Sequence, residues 1–126
     1  MGKIKVLIID DDEALAQELA EVMRESGYDT GTVSDASSAI KTADEKRPDV
    51  ILLDLKMPGK SGFQVADDLK HFSTTSDIPI IAMTGYYKER QHKSFMLSLG
   101  IVDCVVKPFD PREIVEKIRK YQAQGR

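Results

Sequence analysis

The chain has 126 residues, of which 41% are hydrophobic and 31% charged, as expected for an ordinary globular protein of one domain. Its 18 Lys and Arg against 21 Asp and Glu give a net charge of −3, so we expect no direct contact with nucleic acid. No apolar run approaches the roughly 18 residues of a membrane span, and we expect no membrane segment. Cys104 is the single cysteine, which excludes an internal disulfide and favours a cytoplasmic protein.

Five short apolar runs predict β-strands, and residues with helical spacing fill the stretches between them. The runs lie, in chain order, at residues 4–9, 28–33, 50–53, 78–83 and 101–106. Helices are predicted around residues 15–23, 36–43, 65–72, 95–99 and 114–121. Strands that alternate with helices predict an α/β fold of (βα)5 type, with a doubly wound parallel sheet covered on both faces.

The second run differs from the others because it is rich in Thr and Gly, and this polarity predicts an edge strand. No internal repeat, low-complexity tract or linker divides the chain. We therefore expect one domain over residues 1–126, with a core of about 4–121 and a frayed end.

Capping residues precede several of the predicted helices. Asp35 and Ser61 are of the types that cap helix N-termini, and Asp110 is followed by a proline, which favours the first helical position. These positions predict where the second, third and fifth helices begin.

Polar side chains follow four of the predicted strands. Asp10, Asp11 and Asp12 follow the first strand, and Asp54 follows the third. The fourth strand is followed by Thr84 and the fifth by Lys107. Ligands of open α/β sheets bind beyond the carboxyl ends of the strands, so these groups are expected to converge there.

Several carboxylates at one edge of a sheet repel one another, and a hard divalent cation relieves that repulsion. We therefore expect a Mg²⁺ site. A cation held by few protein oxygens shields a carboxylate from an incoming phosphoryl group, so covalent chemistry on Asp54 becomes plausible. Lys107 and the Thr84 hydroxyl are suited to contact phosphoryl oxygens.

The motifs VLIIDDD, LLDLKMPGKSG, IIAMTG and CVVKPF together resemble the receiver domains of bacterial two-component response regulators. The resemblance spans nearly the whole chain. Asp54 follows Asp11 by 43 residues and Thr84 follows Asp54 by 30, as in that family. Lys107 follows Thr84 by 23 residues, about one more than the family pattern, which predicts an extra residue in the loop or helix after Thr84.

The resemblance implies a flavodoxin-like sheet of strand order 2-1-3-4-5, in a stand-alone receiver domain similar to the chemotaxis response regulator. It implies that Asp54 is the phosphoacceptor and that Asp10, Asp11, Asp54 and the backbone carbonyl of Lys56 bind Mg²⁺, while Asp12 lies outside the metal set. No other cofactor is expected.

The resemblance further implies that Thr84, Lys107 and the small residue Gly85 contact the phosphoryl group. A side chain at Gly85 would crowd that group. The peptide bond between Lys107 and Pro108 is expected to be cis, and Gly59 and Gly62 suit the tight loop after the acceptor.

The function that follows is a phosphoacceptor switch rather than an enzyme, beyond its own phosphorylation and dephosphorylation. The donor is expected to be a histidine kinase or a histidine phosphotransfer protein. A downstream protein effector would then bind the surface formed by the fourth helix, fifth strand and fifth helix. The chain is expected to be a monomer or a phosphorylation-dependent dimer.

Two other functions compete with this interpretation. A small phosphohydrolase of the haloacid-dehalogenase type would use Asp10 as its nucleophile, since the acidic triplet satisfies D-x-D, but it would leave Asp54 without a role. A flavodoxin-like cofactor binder would need a Ser, Thr or Gly-rich loop after the first strand, where this chain has three repelling aspartates.

Cys104 departs from the family pattern. Receivers commonly carry an aromatic residue three positions before the lysine, where its ring moves when the hydroxyl residue engages phosphate. A small buried thiol is the favoured interpretation here, ahead of redox sensing, which requires an accessible and electropositive setting.

Overall fold

The computed structural model describes residues 2–85 and 92–125, with side chains through Tyr121. Strands and helices alternate along the described chain. The strands are β1 (Lys5–Ile9), β2 (Asp29–Val33), β3 (Val50–Asp54), β4 (Ile80–Thr84) and β5 (Ile101–Val106). The helices are α1 (Glu13–Glu25), α2 (Ala39–Lys46), α3 (Gly62–Lys70), α4 (Lys93–Ser98) and α5 (Pro111–Gly125). None of the described helices is both long and apolar enough to cross a bilayer.

The five strands form one parallel sheet of order β2-β1-β3-β4-β5. This confirms the doubly wound, flavodoxin-like (βα)5 fold and the edge position of β2. The register pairs Ile9 with Leu53 and Leu53 with Ala82, so the carboxyl ends of β1, β3 and β4 finish at the same edge of the sheet. The residues that follow these strands are therefore neighbours.

Alternate residues of the strands face two separate cores. Leu7 and Leu53 belong to the core under α2, α3 and α4, whereas Ile8 and Leu52 belong to the core under α1 and α5. Every residue of β3 is buried. Burial of each apolar side chain in β3 stabilises the fold by roughly 1.5–3 kcal/mol, which explains why the central strands are apolar on both faces.

The helix starts agree with the expected caps except at α2. Ser61 caps α3 in a reciprocal capping box with Gln64, and α5 begins directly after Asp110, whose carboxylate accepts from the Arg112 amide. Asp35 instead accepts from the Ser38 amide at 2.9 Å and stabilises a turn, so that α2 begins only at Ala39. The prediction that Asp35 directly caps the second helix is wrong for this reason.

An irregularity in β5 bears on the long separation between Thr84 and Lys107. Ile80 pairs with Ile101, but Ile81 pairs with Asp103, so a bulge at Val102 takes up one residue. The expected extra residue in the loop or helix after Thr84 falls partly on residues 86–91, which lie outside the described residues.

Candidate functional site

The predicted site residues of four strands meet at the carboxyl edge of the sheet. Asp10, Asp54 and Thr84 are 0%, 3% and 2% exposed, so three polar groups are buried at the strand ends. Buried polar groups of this kind are costly unless they are paired, and a cluster of them is a frequent mark of a functional site.

An acidic cluster forms between β1 and β3. Asp10, Asp11 and Asp54 each offer a carboxylate oxygen, and these three oxygens lie within 4.8 Å of one another. Asp12 instead accepts from the Leu15 amide at 3.0 Å and caps α1. The three aspartates after β1 thus differ in role. Asp10 and Asp11 belong to a carboxylate cluster suited to a hard cation, and Asp12 caps a helix.

Lys107 brings a positive charge into this cluster. Its ammonium nitrogen lies 3.1 Å from Asp10 Oδ2 and 3.7 Å from Asp54 Oδ1. Its backbone N–H donates to the Thr84 carbonyl at 2.6 Å, which ties the end of β5 to the end of β4. The Lys107–Pro108 peptide bond is cis, as predicted.

The electrostatic setting of Asp54 differs from that of an ordinary surface carboxylate. Burial raises its pKa, the neighbouring Asp10 charge raises it further, and the Lys56 amide and Lys107 oppose the rise, leaving a pKa of about 7. The Lys56 amide donates to Asp54 Oδ1 at 3.2 Å. Burial and the Asp10 charge thus favour the protonated form of this carboxyl more than in an ordinary surface carboxylate.

The loop after Asp54 is held by two glycines for different reasons. Gly59 has φ +81°, a left-handed conformation that favours glycine. At Gly62, a Cβ atom would lie 2.3 Å from the Asp54 carbonyl oxygen and 2.5 Å from Leu55 Cα. Gly62 thus allows the first turn of α3 to pack directly on the backbone of the predicted acceptor, a close approach that the sequence did not reveal.

Gly85 follows Thr84 at the end of β4. A Cβ atom built there meets no described heavy atom within 4 Å. Packing among the described residues therefore does not require glycine at this position.

A second polar cluster, not expected from the sequence, lies on β5 and α5. Asp103 accepts hydrogen bonds from Lys117 Nζ at 3.0 Å and from the Tyr121 hydroxyl at 3.1 Å. Beside it a groove of about 430 Å³ opens between α4, β5 and α5, with Leu97 and Cys104 in its lining. Cys104 is only 8% exposed, which confirms the prediction of a small buried thiol where an aromatic ring was expected.

The geometry gives no support to Asp10 as the nucleophile of a dehalogenase-type hydrolase. Asp10 is fully buried, its Oδ1 accepts from the Asp12 amide at 3.0 Å, and its Oδ2 accepts from Lys107. Both oxygens are thus already engaged. Asp54, a member of the same carboxylate cluster, would be left without a role in such an enzyme.

The response regulator receiver domain family model matches residues 6–119 of this chain. The DNA-binding response regulator MtrA of Mycolicibacterium smegmatis is 37% identical over 115 residues, which cover 91% of this chain and 49% of MtrA. The chain thus spans about half the length of the curated relatives it matches.

Solved structures share the same fold. The chemotaxis protein CheY4 of Vibrio cholerae has a TM-score of 0.86 and 27% identity, covering 94% of this chain and 98% of CheY4. The receiver domain of the sensor histidine kinase PA1611 of Pseudomonas aeruginosa, with magnesium coordinated in its active site cleft, has a TM-score of 0.83. At 24% identity, covering 98% and 99% of the two chains, it shows the fold alone. With the family match, these findings confirm the resemblance seen in the motifs: the chain belongs to the response regulator receiver domains of two-component systems.

Proposed function

We propose that Asp54 accepts a phosphoryl group from a phosphohistidine donor, and that the chain acts as a phosphorylation-controlled switch. The observation that carries this proposal is the position of Asp54, a buried carboxylate within 4.8 Å of two further carboxylates and 3.7 Å from an ammonium group. A carboxylate with a purely structural role would not require such neighbours. A phosphoryl acceptor needs both the carboxylates, which can hold a cation, and the ammonium group, which can pair with the phosphoryl group.

In the proposed reaction, an Asp54 carboxylate oxygen attacks the donor phosphorus and the phosphorus–nitrogen bond breaks. The donor imidazole keeps that electron pair, and an acyl phosphate forms on Asp54. The switch is reset by hydrolysis: water attacks phosphorus, the phosphorus–oxygen bond to Asp54 breaks, and inorganic phosphate leaves. Both steps act on the chain itself, so the molecule is a switch rather than an enzyme that turns over a separate substrate.

Mg²⁺ is the cofactor that the acidic cluster fits best. Three carboxylate oxygens within 4.8 Å of one another form the hard oxygen donor set that this ion prefers. We propose that Asp10, Asp11, Asp54 and the Lys56 carbonyl hold it. When bound, the ion supplies positive charge that favours the ionised carboxylate and offsets the charge of the incoming phosphoryl group.

The remaining residues of the proposed site bind and orient the phosphoryl group. Lys107 is 26% exposed and sits between Asp10 and Asp54, so its ammonium group is available to pair with a phosphoryl oxygen. We propose that the Thr84 hydroxyl and the Gly85 amide contact the other oxygens. Among the described residues, none has a heavy atom within 4 Å of a Cβ built at Gly85, which supports a group bound there.

The partners we propose follow from this chemistry. The phosphoryl donor is a histidine kinase or a histidine phosphotransfer protein, and the reaction takes place in the cytoplasm. The downstream effector is a protein that binds the α4-β5-α5 surface. The DNA binding of MtrA is not carried over to this segment, because the match covers about half of that protein and the segment has a net charge of −3. We propose a monomer or a phosphorylation-dependent dimer.

The proposal is tested by incubation with acetyl phosphate and Mg²⁺, followed by intact-mass analysis. The wild-type chain is expected to gain one phosphoryl group and Asp54→Asn none. Asp12→Asn is the matched control, because Asn caps a helix as well as Asp and Asp12 lies outside the proposed site. Equal uptake by Asp54→Asn and wild type, or no uptake by either, would overturn the proposal.

A further inference from the structure

Two aromatic rings connect α3 to the short helix α4. Phe63 lies in the first turn of α3 and Phe95 on α4, with ring centroids 5.7 Å apart and planes tilted by 45°. Aromatic pairs in this range contribute about 0.5–1.5 kcal/mol beyond the area that they bury. Phe63 also packs against the core beneath α2, α3 and α4. The pair therefore joins α4 to the start of α3.

The start of α3 is in turn fixed on the backbone of Asp54. The absence of a side chain at Gly62 lets this turn approach the Asp54 carbonyl closely, and the Gly62 amide donates to the Leu55 carbonyl at 3.0 Å. Packed contacts of this kind leave no space in which a displacement can be absorbed. A shift of the backbone at residues 54–55 is therefore passed to Phe63, the next residue after Gly62.

Phosphorylation would change the forces at this point. In the structure, Asp54 Oδ1 accepts from the Lys56 amide at 3.2 Å. A phosphoryl group on the carboxylate adds a charge of about −1.5 to −2 and new acceptor oxygens, and we expect this change to alter the hydrogen bond from the Lys56 amide. The hydrogen bonding of the loop after Asp54 would then change at the start of the loop, while Gly62 fixes the end of the loop against the Asp54 backbone.

α4 is the shortest of the helices in the described part of the chain. It has six residues, its N-cap makes no side-chain hydrogen bond, and Met96 is its buried residue. Phe95 and Leu97 are 55% and 58% exposed. A helix this short has little stability of its own, so its position depends on tertiary contacts such as that with Phe63.

The strand β5 offers no ring that could act on α4. β4 and β5 contain no aromatic residue, and Cys104 stands where receivers commonly carry one. We infer that the contact between Phe63 and Phe95, rather than a ring on β5, transmits the phosphorylation state of Asp54 to α4 in this chain. The inference rests on the proposed phosphorylation of Asp54.

Cys104 provides a natural reporter for the test. It is the single cysteine, it is buried, and it lines the groove together with Met96 and Leu97 of α4. The rate at which a maleimide modifies Cys104 is measured with and without acetyl phosphate and Mg²⁺, and phosphoryl uptake is measured on the same samples by mass. For the wild type we expect a change of about fivefold or more, the lower end of typical coupling between sites.

Phe95→Ala is expected to take up the phosphoryl group as the wild type does but to lose most of the change in thiol rate. Phe95→Tyr keeps the ring and is expected to keep the response. Phe72→Ala is the control, because it removes another exposed ring outside the pair. Phe63→Leu, with the core contact largely preserved, is a second test of the pair should Phe95→Ala be unstable.

Two results would overturn the inference while leaving the proposed function intact. One is a full thiol response in both phosphorylated Phe95→Ala and phosphorylated Phe63→Leu. The other is a phosphorylated wild type that shows no change in the thiol rate or in amide exchange over Lys93–Ser98. If the wild type took up no phosphoryl group, the proposed function itself would be wrong, and the inferred transmission through Phe63 and Phe95 would lose its premise.

Discussion

The ammonium nitrogen of Lys107 lies 3.1 Å from Asp10 Oδ2, although the two residues are 97 positions apart in the chain. Asp10 is fully buried, and among the described residues it forms its ion pair with Lys107. The same ammonium group is 3.7 Å from Asp54. The pair thus links the ends of β1 and β5 and also places a positive charge beside the proposed acceptor.

Lys107→Met is expected to lower the free energy of unfolding by about 1–3 kcal/mol, since it leaves the buried Asp10 carboxylate without the Lys107 charge. The loss is limited because Lys107 itself is partly exposed. Phosphoryl uptake from acetyl phosphate is also expected to slow. Urea denaturation and intact-mass kinetics measure the two effects. The double variant Asp10→Asn with Lys107→Met should recover part of the stability, whereas a loss equal to the sum of the single variants would show that the two groups are not coupled.

Gly62→Ala is expected to affect both stability and phosphorylation, whereas Gly85→Ala is expected to affect phosphorylation alone. At Gly62 the methyl group meets the Asp54 backbone, so we expect a loss of about 1–3 kcal/mol in unfolding free energy together with slower phosphoryl uptake. Gly85→Ala meets no described atom and should stay close to wild type in stability while phosphoryl uptake falls. A stable Gly62→Ala with normal uptake would contradict the close packing described for α3.

The strand ends were predictable from the sequence because each strand is a compact apolar run with a polar residue directly after it. Asp10, Asp54, Thr84 and Lys107 follow such runs, and the parallel arrangement alone brings strand ends to one edge. The motifs around these residues also indicated the family. The fold and the composition of the candidate site could thus be derived without any coordinates.

Other features depend on distances between remote segments, which a linear pattern does not contain. The close approach of Gly62 to Asp54 looks in sequence like any glycine of a loop. The bulge at Val102 has no local signal in the sequence. Asp35 could either cap the second helix directly or stabilise a turn, and it accepts from the Ser38 amide in a turn. The network around Asp103 joins β5 to α5 through side chains whose meeting only tertiary packing decides.

The stability of the metal-free chain is expected to depend on pH through Asp54. Its pKa of about 7 in the folded protein lies above the roughly 3.9 of an unfolded aspartate, so the folded state holds the proton more tightly. Stability therefore falls as the pH rises from about 4 to about 7. In EDTA, Asp54→Asn should exceed the wild type by roughly 1–4 kcal/mol above pH 7 and by little at pH 4.

Denaturation at several pH values measures this difference. The gap between Asp54→Asn and wild type should narrow when Mg²⁺ is added, because a bound cation favours the ionised carboxylate. A gap that does not change between pH 4 and pH 8 would show that Asp54 titrates like an exposed carboxylate.

Asp11 and Asp12 are adjacent in sequence but are expected to differ in Mg²⁺ binding. Asp11 contributes an oxygen to the acidic cluster, whereas Asp12 caps α1. Asp11→Ala should weaken Mg²⁺ by at least about tenfold, or about 1.4 kcal/mol. Asp12→Ala should leave the affinity nearly unchanged and instead cost about 1 kcal/mol of stability through the lost cap. Equal losses of affinity in a calorimetric titration would reject this division.

Asp103 is expected to stabilise the fold in a pH window opposite to that of Asp54. Burial alone would raise the pKa of Asp103, but hydrogen bonds from the Cys104 amide, Lys117 and Tyr121 outweigh burial and hold the pKa below its usual value. A carboxylate with a lowered pKa stabilises the folded state above its unfolded pKa, and this contribution is lost as the pH falls through the folded pKa.

Asp103→Asn is therefore expected to destabilise the chain at pH 7 by on the order of 1 kcal/mol, with a smaller difference from wild type at pH 3. Lys117→Met removes one donor and should produce a similar loss at pH 7. Urea denaturation at the two pH values tests both variants, with Asp110→Asn as a control because its partner Arg112 forms an exposed pair. If Asp103→Asn were as stable as wild type at pH 7, the hydrogen bonds around Asp103 would do no more than balance the cost of burying its charge.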